Sequence, residues 1–191
     1  MAVRTPRERA VRGVGYPGRM PELTPEAHLA AILSALGYDA DPECAGTPAR
    51  VLEVLRAHAP GRTMPAIETF EAPARDPVVL RDLPFHSLCA HHLLPFHGTC
   101  DLAYRPVDRI AGLGAFPKML QHLARQPQLQ ERLGAQLADA LHGALGGPVI
   151  VRLRARQMCM EMRGACSTGT VETWTMRGDD AATATLARLL G

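Results

Sequence analysis

Two segments near the N terminus carry apolar residues at helical spacing. Thr24-Pro25 reads as an N-cap followed by a first-turn proline, and Gly37 ends the segment after apolar residues at Leu29, Ile32, Leu33 and Leu36. Thr47-Pro48 opens a second segment of the same kind, which Pro60-Gly61 ends. The pattern predicts an N-terminal helical hairpin over residues 23 to 62.

The middle of the chain has shorter periods and then two further helical patterns. Short segments of strand-forming residues, separated by Pro and Gly, lie around Ala66 to Phe70, Val78 to Leu80 and Thr99 to Tyr104. They predict an antiparallel sheet. Helices are predicted from Phe116 to about Arg125 and from Gln128 to Leu145, where an apolar stripe ends at Gly146-Gly147.

The last part returns to strand patterning. Apolar residues alternate with Ile150 and three arginines over residues 149 to 156, the period of a half-buried strand, and Gln157 and Cys159 continue its buried face. A strand from Val171 to Met176 and a helix after Asp179 complete the chain. Strands and helices in this order predict an α+β domain over residues 63 to 191.

Composition fits one globular domain with a smaller helical appendage. The chain has 191 residues, of which 47% are hydrophobic and 21% charged. No apolar run approaches the ~20 residues that a membrane span needs. Residues 1 to 22 are rich in arginine and lack apolar periodicity, which predicts a flexible basic arm without a secretory signal. We therefore expect a cytoplasmic protein without a membrane partner.

Charge and cysteine content narrow the function classes. A net charge of +2 and a pI near 8.4 are too mild to indicate nucleic acid as a partner. Five cysteines without an export signal indicate free thiols or metal ligands rather than a disulfide framework.

Four of the eight histidines and two of the five cysteines lie between His86 and Cys100. Cys89 and His92 have a C-x-x-H spacing, which lets a thiolate and an imidazole converge on one ion, and His91 would then be free to act on a substrate. Cys159 is the best candidate for a third ligand. The alternatives are a buried Cys89 with surface histidines, and a Cys159 that packs in a core with its neighbouring methionines.

Taken together, these motifs resemble those of type I GTP cyclohydrolases, the zinc enzymes that open the guanine ring on the way to pterins. The resemblance spans about residues 24 to 178. It rests on segments that occur in the family's order: residues 46 to 51, 89 to 96, 112 to 113, 125 to 133 and 158 to 164.

The resemblance implies a fold, an assembly and a reaction. The fold would be the tunnelling fold (T-fold), an antiparallel sheet with two helices on one face, preceded here by the helical hairpin. The assembly would be a toroidal homo-oligomer, a decamer in the family, with active sites shared between subunits. The reaction would convert GTP to 7,8-dihydroneopterin triphosphate and formate, a step of pterin and tetrahydrofolate biosynthesis in one-carbon metabolism.

The resemblance also implies roles for individual residues. It makes Cys89, His92 and Cys159 the ligands of Zn²⁺ and His91 the proton-transfer histidine. It places two residues at the guanine pocket, Gln130 and Glu131. It assigns phosphate binding to Arg163 and to Lys118, where the family usually has arginine.

This chain departs from the family pattern at several of these positions. Ala90 stands where the family usually has Glu, and Gly114-Ala115 stands where it has Ser-Lys. Gln157 replaces the second acid-base histidine with an amide, which can orient a substrate but cannot exchange protons near pH 7.

Two alternatives to an ordinary GTP cyclohydrolase therefore stay open. One is a divergent cyclohydrolase that accepts another guanine derivative or stops at ring opening. The other is a non-catalytic, zinc-stabilised assembly subunit, which Cys100 or Cys166 as a fourth ligand would support.

Overall fold

The structure is a computed structural model that describes residues 24–59, 61 and 63–191. The chain divides into two compact units, with the boundary between Leu52 and Glu53. The predicted basic arm, residues 1 to 22, lies outside the described residues. The predicted division into arm, hairpin and catalytic domain stays a prediction.

The first unit contains the helices that the N-terminal periodicity predicts. Helix α1 spans Pro25–Ala35, and the Thr24 hydroxyl accepts a hydrogen bond from the backbone N–H of Ala27 at 3.2 Å. A short 3₁₀ helix covers Pro42–Cys44, and helix α2, Thr47–Ala57, begins in this unit. The cap and the proline in the first turn explain why α1 begins where the sequence predicts.

The second unit is built on a five-stranded sheet. Strands β2 (Val78–Cys89), β3 (Pro95–Tyr104), β6 (Val149–Gln157) and β7 (Thr170–Arg177) are antiparallel neighbours in that order, and β5 (Pro127–Gln128) pairs parallel with β2. A separate antiparallel pair consists of β1 (Thr69–Glu71) and β4 (Arg109–Ala111).

Helices cover the two faces of this sheet unequally. Helices α3 (Ala115–Ala124) and α4 (Gln130–Leu145) pack on one face and form the main core with its apolar side chains. Helix α6 (Asp180–Leu190) buries Leu186 and Leu190 against the opposite face. This confirms the predicted α+β class and the tunnelling-fold arrangement of an antiparallel sheet with two helices on one face. None of the described helices is both long and apolar enough to span a membrane.

Several elements differ from the sequence predictions. Strand β2 extends to Cys89, far beyond the predicted Leu80, because β3 pairs along it past a bulge between Leu80 and Leu83. Helix α4 begins two residues later than predicted, because residues 127 to 128 pair with the end of β2. A short helix α5, Met158–Glu161, follows β6 directly, where the sequence indicated only a strand end.

Strand β6 is buried on both faces over most of its length, where alternation predicted a half-buried strand. Ile150 packs under α6, and Arg152 is nearly inaccessible because its guanidinium pairs with Asp101 and lies 5.1 Å from the ring centroid of Trp174. Arginines are mostly exposed and are buried only when they are paired, as Arg152 is with Asp101. The alternation of residue types along the strand does not reveal such a partner.

The close approach of β3 and β6 requires a glycine. A Cβ on Gly98 would lie 1.9 Å from the carbonyl oxygen of Arg154, far inside van der Waals contact. Gly98 pairs with Ala155, and two residues earlier Phe96 pairs with Gln157. Gly98 therefore permits the register that sets the end of β6 beside the start of β3.

A buried carboxylate ties three parts of this unit together. Asp101 is 1% exposed and accepts hydrogen bonds from the Asp82 backbone N–H at 2.7 Å and from the Arg152 guanidinium at 2.6 and 3.1 Å. Arg152 also donates to the Gly191 carbonyl at 3.0 Å, which holds the end of the chain. Burial opposes ionisation of Asp101, but these donors and Arg154 outweigh it, and its pKa lies below the ordinary value.

We predict that Asp101→Asn lowers the free energy of unfolding by about 3 kcal/mol, because it leaves the buried Arg152 charge without its partner. A lowered pKa means that the contribution of Asp101 is present above about pH 4 and is lost as the pH falls below that value. Urea unfolding between pH 3 and pH 7 should therefore show a shallower pH dependence for the variant.

The matched control is Asp108→Asn, because Asp108 pairs with Arg75 at 3.6 Å in an exposed ion pair. This change should alter the unfolding free energy by less than about 0.5 kcal/mol. Equal losses in the two variants would contradict the assigned role of Asp101.

Candidate active site

Cys89 and His92 are brought together by a tight turn at the end of β2. The Cys89 N–H donates to the Leu94 carbonyl and the Leu93 N–H donates to the Cys89 carbonyl, both at 2.8 Å. Leu93 has a φ of 53°, a left-handed conformation that a leucine adopts at a cost in strain. The turn sets the Nδ1 atom of His92 3.7 Å from the Sγ atom of Cys89.

Cys159 lies close to Cys89 and His92 although it follows β6, which flanks β3 on the side opposite to β2. It lies in the first turn of α5, directly after β6, and is half-buried. Its Sγ atom and the donor atoms of Cys89 and His92 all lie within 4.8 Å of one another. Two thiols and an imidazole at this spacing are a donor set that fits a tetrahedral zinc ion.

The surroundings of Cys159 favour the neutral form of its thiol. Burial and the neighbouring Cys89 raise the pKa of the Cys159 thiol above its ordinary value. Because a thiolate is the form that binds a metal, binding at this cluster must release protons.

A cavity of about 290 Å³ opens beside the cluster. Its lining includes two of the three donor residues, Cys89 and Cys159, together with His91, Glu131 and Gln157.

Strand β5 positions the start of helix α4 at this cavity. Gln128 pairs with Cys89, and its carbonyl accepts from the Ala90 N–H at 2.9 Å. The N-terminus of α4 therefore begins at the wall of the cavity.

Glu131 supplies the carboxylate of this cavity. It lies in the first turn of α4, and its side chain is exposed to the cavity that it lines. The positive end of the helix dipole favours a negative charge at this position. Glu131 can accept hydrogen bonds from donors on a ligand.

Gln130 also lines the cavity, but its amide is bonded within the protein. The residue is 3% exposed, and its Nε2 atom donates to the carbonyls of Leu153 and Val171, both at 3.0 Å. The same nitrogen lies 3.2 Å from the Thr173 hydroxyl. Its Oε1 atom accepts from the Nε2 atom of Gln157 at 2.7 Å. The structure thus joins Gln130 to Gln157.

The other predicted site residues lie at different distances from this centre. His91 is exposed, lines the cavity and has its ring centroid 6.0 Å from that of His92. Arg163 is exposed and contacts the Nε2 atom of His92 through its guanidinium. Lys118 is exposed on α3 and does not line the cavity. Within a single chain, all the predicted site residues except Lys118 therefore lie at the donor cluster or at the cavity beside it.

Four further residues that the sequence singled out do not line the cavity. Gly114 is the N-cap residue of α3 and Ala115 is its first residue, with no side-chain cap. Among the described residues, neither Cys100 nor Cys166 joins the donor cluster. Cys100 is buried on β3, where burial raises the pKa of its thiol, and Cys166 is exposed.

The sequence did not identify Gln128 as a site residue. It is buried, lines the cavity, donates to the Gln136 side chain at 2.8 Å and accepts from the Arg132 side chain at 2.7 Å. Sequence periodicity placed Gln128 inside a helix, and no local signal distinguishes the two-residue strand that it forms. The role of this residue is to hold the loop between α3 and α4 beside Cys89.

Comparisons with known proteins match most of this chain. The family model described as GTP cyclohydrolase I matches residues 25–188. A protein named GTP cyclohydrolase 1 from Streptococcus pneumoniae is 38% identical over 157 residues, 79% of this chain and 85% of the relative. One of the same name from Lactiplantibacillus plantarum is 39% identical over 146 residues, 72% of this chain and 77% of the relative.

A solved structure is also similar, that of an archaeosine synthase QueF-Like in the apo form. It has a TM-score of 0.45 and 18% sequence identity, and the match covers 56% of this chain and 97% of that one.

We predict that Cys89→Ser and Cys159→Ser each lose most of the bound zinc, because each removes one of three donor atoms. Zinc per chain, measured by mass spectrometry of the purified protein, tests this. Zinc affinity of the wild type should also fall as the pH is lowered, because protons then compete for the thiolates.

Cys166→Ser is the matched control, since Cys166 is exposed and outside the cluster. This variant should keep its zinc. Full zinc content in both ligand variants would show that the cluster is misassigned.

Proposed function

The chain belongs to the GTP cyclohydrolase I family, and on that premise we propose that it is a zinc-dependent hydrolase that opens the imidazole ring of a guanine nucleotide. The proposed substrate is GTP, and the proposed products are formate and 7,8-dihydroneopterin triphosphate. The proposed setting is pterin and tetrahydrofolate biosynthesis in the cytoplasm.

One observation carries this proposal: the Cys-His-Cys donor cluster and the carboxylate of Glu131 meet at one cavity. A base bound between them can have its donor groups at the carboxylate while the ring to be opened lies at the cluster. The cavity volume of about 290 Å³ is near the lower end of the range for small-molecule sites.

Cys89, His92 and Cys159 are the residues that would hold the zinc ion. Bound there, zinc supplies Lewis acidity for a hydrolytic attack near neutral pH. Three protein ligands are the number typical of catalytic rather than structural zinc sites. The three ligands come from the end of β2, the turn after it and α5, so the sheet register holds them in position.

Glu131 would recognise the base. Guanine presents two neighbouring donors, its N1–H and its 2-amino group, and a carboxylate can accept from both. Such charge-assisted hydrogen bonds are stronger than neutral ones. The position of Glu131 in the first turn of α4 adds the helix dipole, which stabilises the negative charge.

His91 would move protons during ring opening. It lines the cavity next to the ligand residue His92, and an imidazole can both accept and donate a proton in acid-base catalysis. Gln157 cannot take such a part, because an amide has no accessible protonation equilibrium. Proton transfer in this chain therefore depends on His91.

The phosphate groups would be bound by Arg163 and Lys118. Arg163 is exposed beside the donor cluster, and its guanidinium can bind an anion through two parallel hydrogen bonds. Lys118 does not line the cavity of its own chain, so its proposed role fits an assembly in which subunits share active sites. We propose a homo-oligomer of this kind, with a decamer as the expected size.

The departures from the family favour a second candidate, a divergent cyclohydrolase that takes another guanine derivative or stops at ring opening. Gln157 lacks the proton equilibrium of histidine, while Gly114 and Ala115 offer no hydroxyl and no cation at the start of α3. Both features lie at positions where the ordinary reaction on GTP needs proton transfer and triphosphate binding.

We predict that Glu131→Ala abolishes measurable binding of GTP while zinc content and oligomer size stay unchanged, because two donors of the base lose their charged acceptor. Calorimetric titration with GTP and zinc analysis test this. Glu68→Gln is the control, since Glu68 is an exposed acidic residue that does not line the cavity. Unchanged GTP affinity in Glu131→Ala would remove Glu131 from the site.

We also predict that the wild type converts GTP to pterin slowly and that Gln157→His raises the rate, by up to the ~10²–10⁴-fold typical of a positioned acid-base group. Formate release and pterin fluorescence measure the two stages separately. The double change Gly114→Ser with Ala115→Lys should be made in parallel, to restore a hydroxyl and a cation for the triphosphate.

Wild-type turnover at the rate of the bacterial relatives, without a gain in either variant, would argue against a divergent substrate. Formate release without pterin would favour an enzyme that stops at ring opening.

A further inference from the structure

The side-chain amides of Gln130 and Gln157 have an orientation that their partners determine. The Nε2 atom of Gln130 lies 3.0 Å from two backbone carbonyls, those of Leu153 and Val171, and a carbonyl can only accept. The nitrogen of Gln130 must therefore be on that side, and its oxygen on the other. Exchange of the two atoms would leave two buried acceptors facing a third.

The orientation of the Gln130 amide determines that of the Gln157 amide. The oxygen of Gln130 needs a donor, and the Nε2 atom of Gln157 fills that need at 2.7 Å. The Oε1 atom of Gln157 is then left without a partner in the part of the chain that the structure describes. Gln157 is half-buried and lines the cavity, so its free oxygen can accept a hydrogen bond from a donor on a ligand.

Gln157 lies between the two ends of the proposed guanine pocket. It is two residues before Cys159 of the donor cluster, and its partner Gln130 is the neighbour of Glu131. Guanine has its donors at N1 and the 2-amino group, where Glu131 is expected. Between that end and C8, guanine offers only acceptors: O6 and N7 on one edge and N3 on the other. An amide oxygen that faced either of these edges would therefore oppose a lone pair of guanine.

We propose that Gln130 holds Gln157 so that its amide oxygen faces the ligand as a fixed hydrogen-bond acceptor, and that residue 157 thereby selects purine nucleotides with a hydrogen at position 7 over those with a lone pair there. The ligand class is a guanine nucleotide whose imidazole ring carries N7–H, as an 8-oxo-7,8-dihydroguanine does. This selectivity rests on the proposed function, because it takes the ligand of the cavity to be a purine nucleotide.

In this arrangement Gln157 is a specificity-determining residue and Gln130 is a positioning residue. Gln130 contributes no hydrogen bond to the ligand, since its nitrogen and its oxygen are both bonded within the protein. Two of the side chains that line the cavity, Glu131 with its carboxylate and Gln157 with its amide oxygen, thus offer acceptors to the base.

Three nucleotides that differ at position 7 test the proposal: GTP has a lone pair, 7-deaza-GTP a C–H and 8-oxo-GTP an N–H. Dissociation constants are measured by calorimetric titration of the zinc-loaded full-length protein at low temperature. The wild type should bind 8-oxo-GTP most tightly and GTP most weakly, with 7-deaza-GTP ahead of GTP by several-fold, up to the order of tenfold expected for one hydrogen-bonding mismatch.

A variant at residue 157 shows whether that residue determines the order of the nucleotide affinities. Gln157→Met removes both polar atoms and should bring the ratio of the dissociation constants of GTP and 7-deaza-GTP close to one. Gln126→Met is the matched control, because Gln126 is half-buried and does not line the cavity, and it should keep the wild-type ratio.

Gln130→Met tests the positioning role. It should move the ratio of the two dissociation constants toward that of Gln157→Met while zinc content is kept, a change that a purely structural role would not produce. A wild-type ratio in Gln130→Met would remove Gln130 from the proposal.

The outcomes separate this proposal from the proposed function. If the nucleotides bind but Gln157→Met leaves the ratio of the dissociation constants of GTP and 7-deaza-GTP unchanged, or if the wild type prefers GTP over 7-deaza-GTP, the selectivity at residue 157 is wrong while the guanine pocket stands. If none of the three nucleotides binds to the zinc-loaded wild type, the proposed function fails and the selectivity fails with it.

Discussion

The antiparallel register of β3 with its two neighbours is the constraint on which the candidate site depends. Pairing of Leu88 with Pro95 places Cys89 at the end of the ladder, and pairing of Phe96 with Gln157 places the end of β6 beside it. A shift of one residue would turn every side chain of a strand to the other face. Gly98 permits this register, because β6 passes too close to β3 for any side chain at that position.

Buried polar groups, rather than apolar packing alone, determine how the elements meet. Asp101 joins the bulge of β2 to Arg152 on β6 and, through that arginine, to the end of the chain behind α6. On the opposite side of the sheet, Gln130 joins the start of α4 to β6 and β7 by hydrogen bonds to Leu153 and Val171. Each of these groups would be costly to leave unpaired, so each specifies one arrangement of its partners.

The chain belongs to the GTP cyclohydrolase I family, and its structure brings the donor cluster and the carboxylate of Glu131 to one cavity. At residue 157 the chain has an amide where the resemblance predicts a histidine. The replacement of an imidazole by an amide changes more than proton transfer. An imidazole can present a donor or an acceptor according to its tautomer, whereas the amide of Gln157 is held by Gln130 in one orientation. A single substitution can thus change both the chemistry and the ligand preference of a site whose metal ligands stay in place.

The sequence by itself determined the helices, most strands, the donor residues and the family, because caps, periodicity and the C-x-x-H spacing are local signals. Helix α1 begins where Thr24 and Pro25 predict, and Cys89, His92 and Cys159 converge as expected. Only the tertiary structure decided the two-residue strand β5, the burial of Arg152 and the bond between Gln130 and Gln157. Each depends on partners more than 25 residues away along the chain, and pairing at that separation is set by the packed sheet rather than by neighbouring residues.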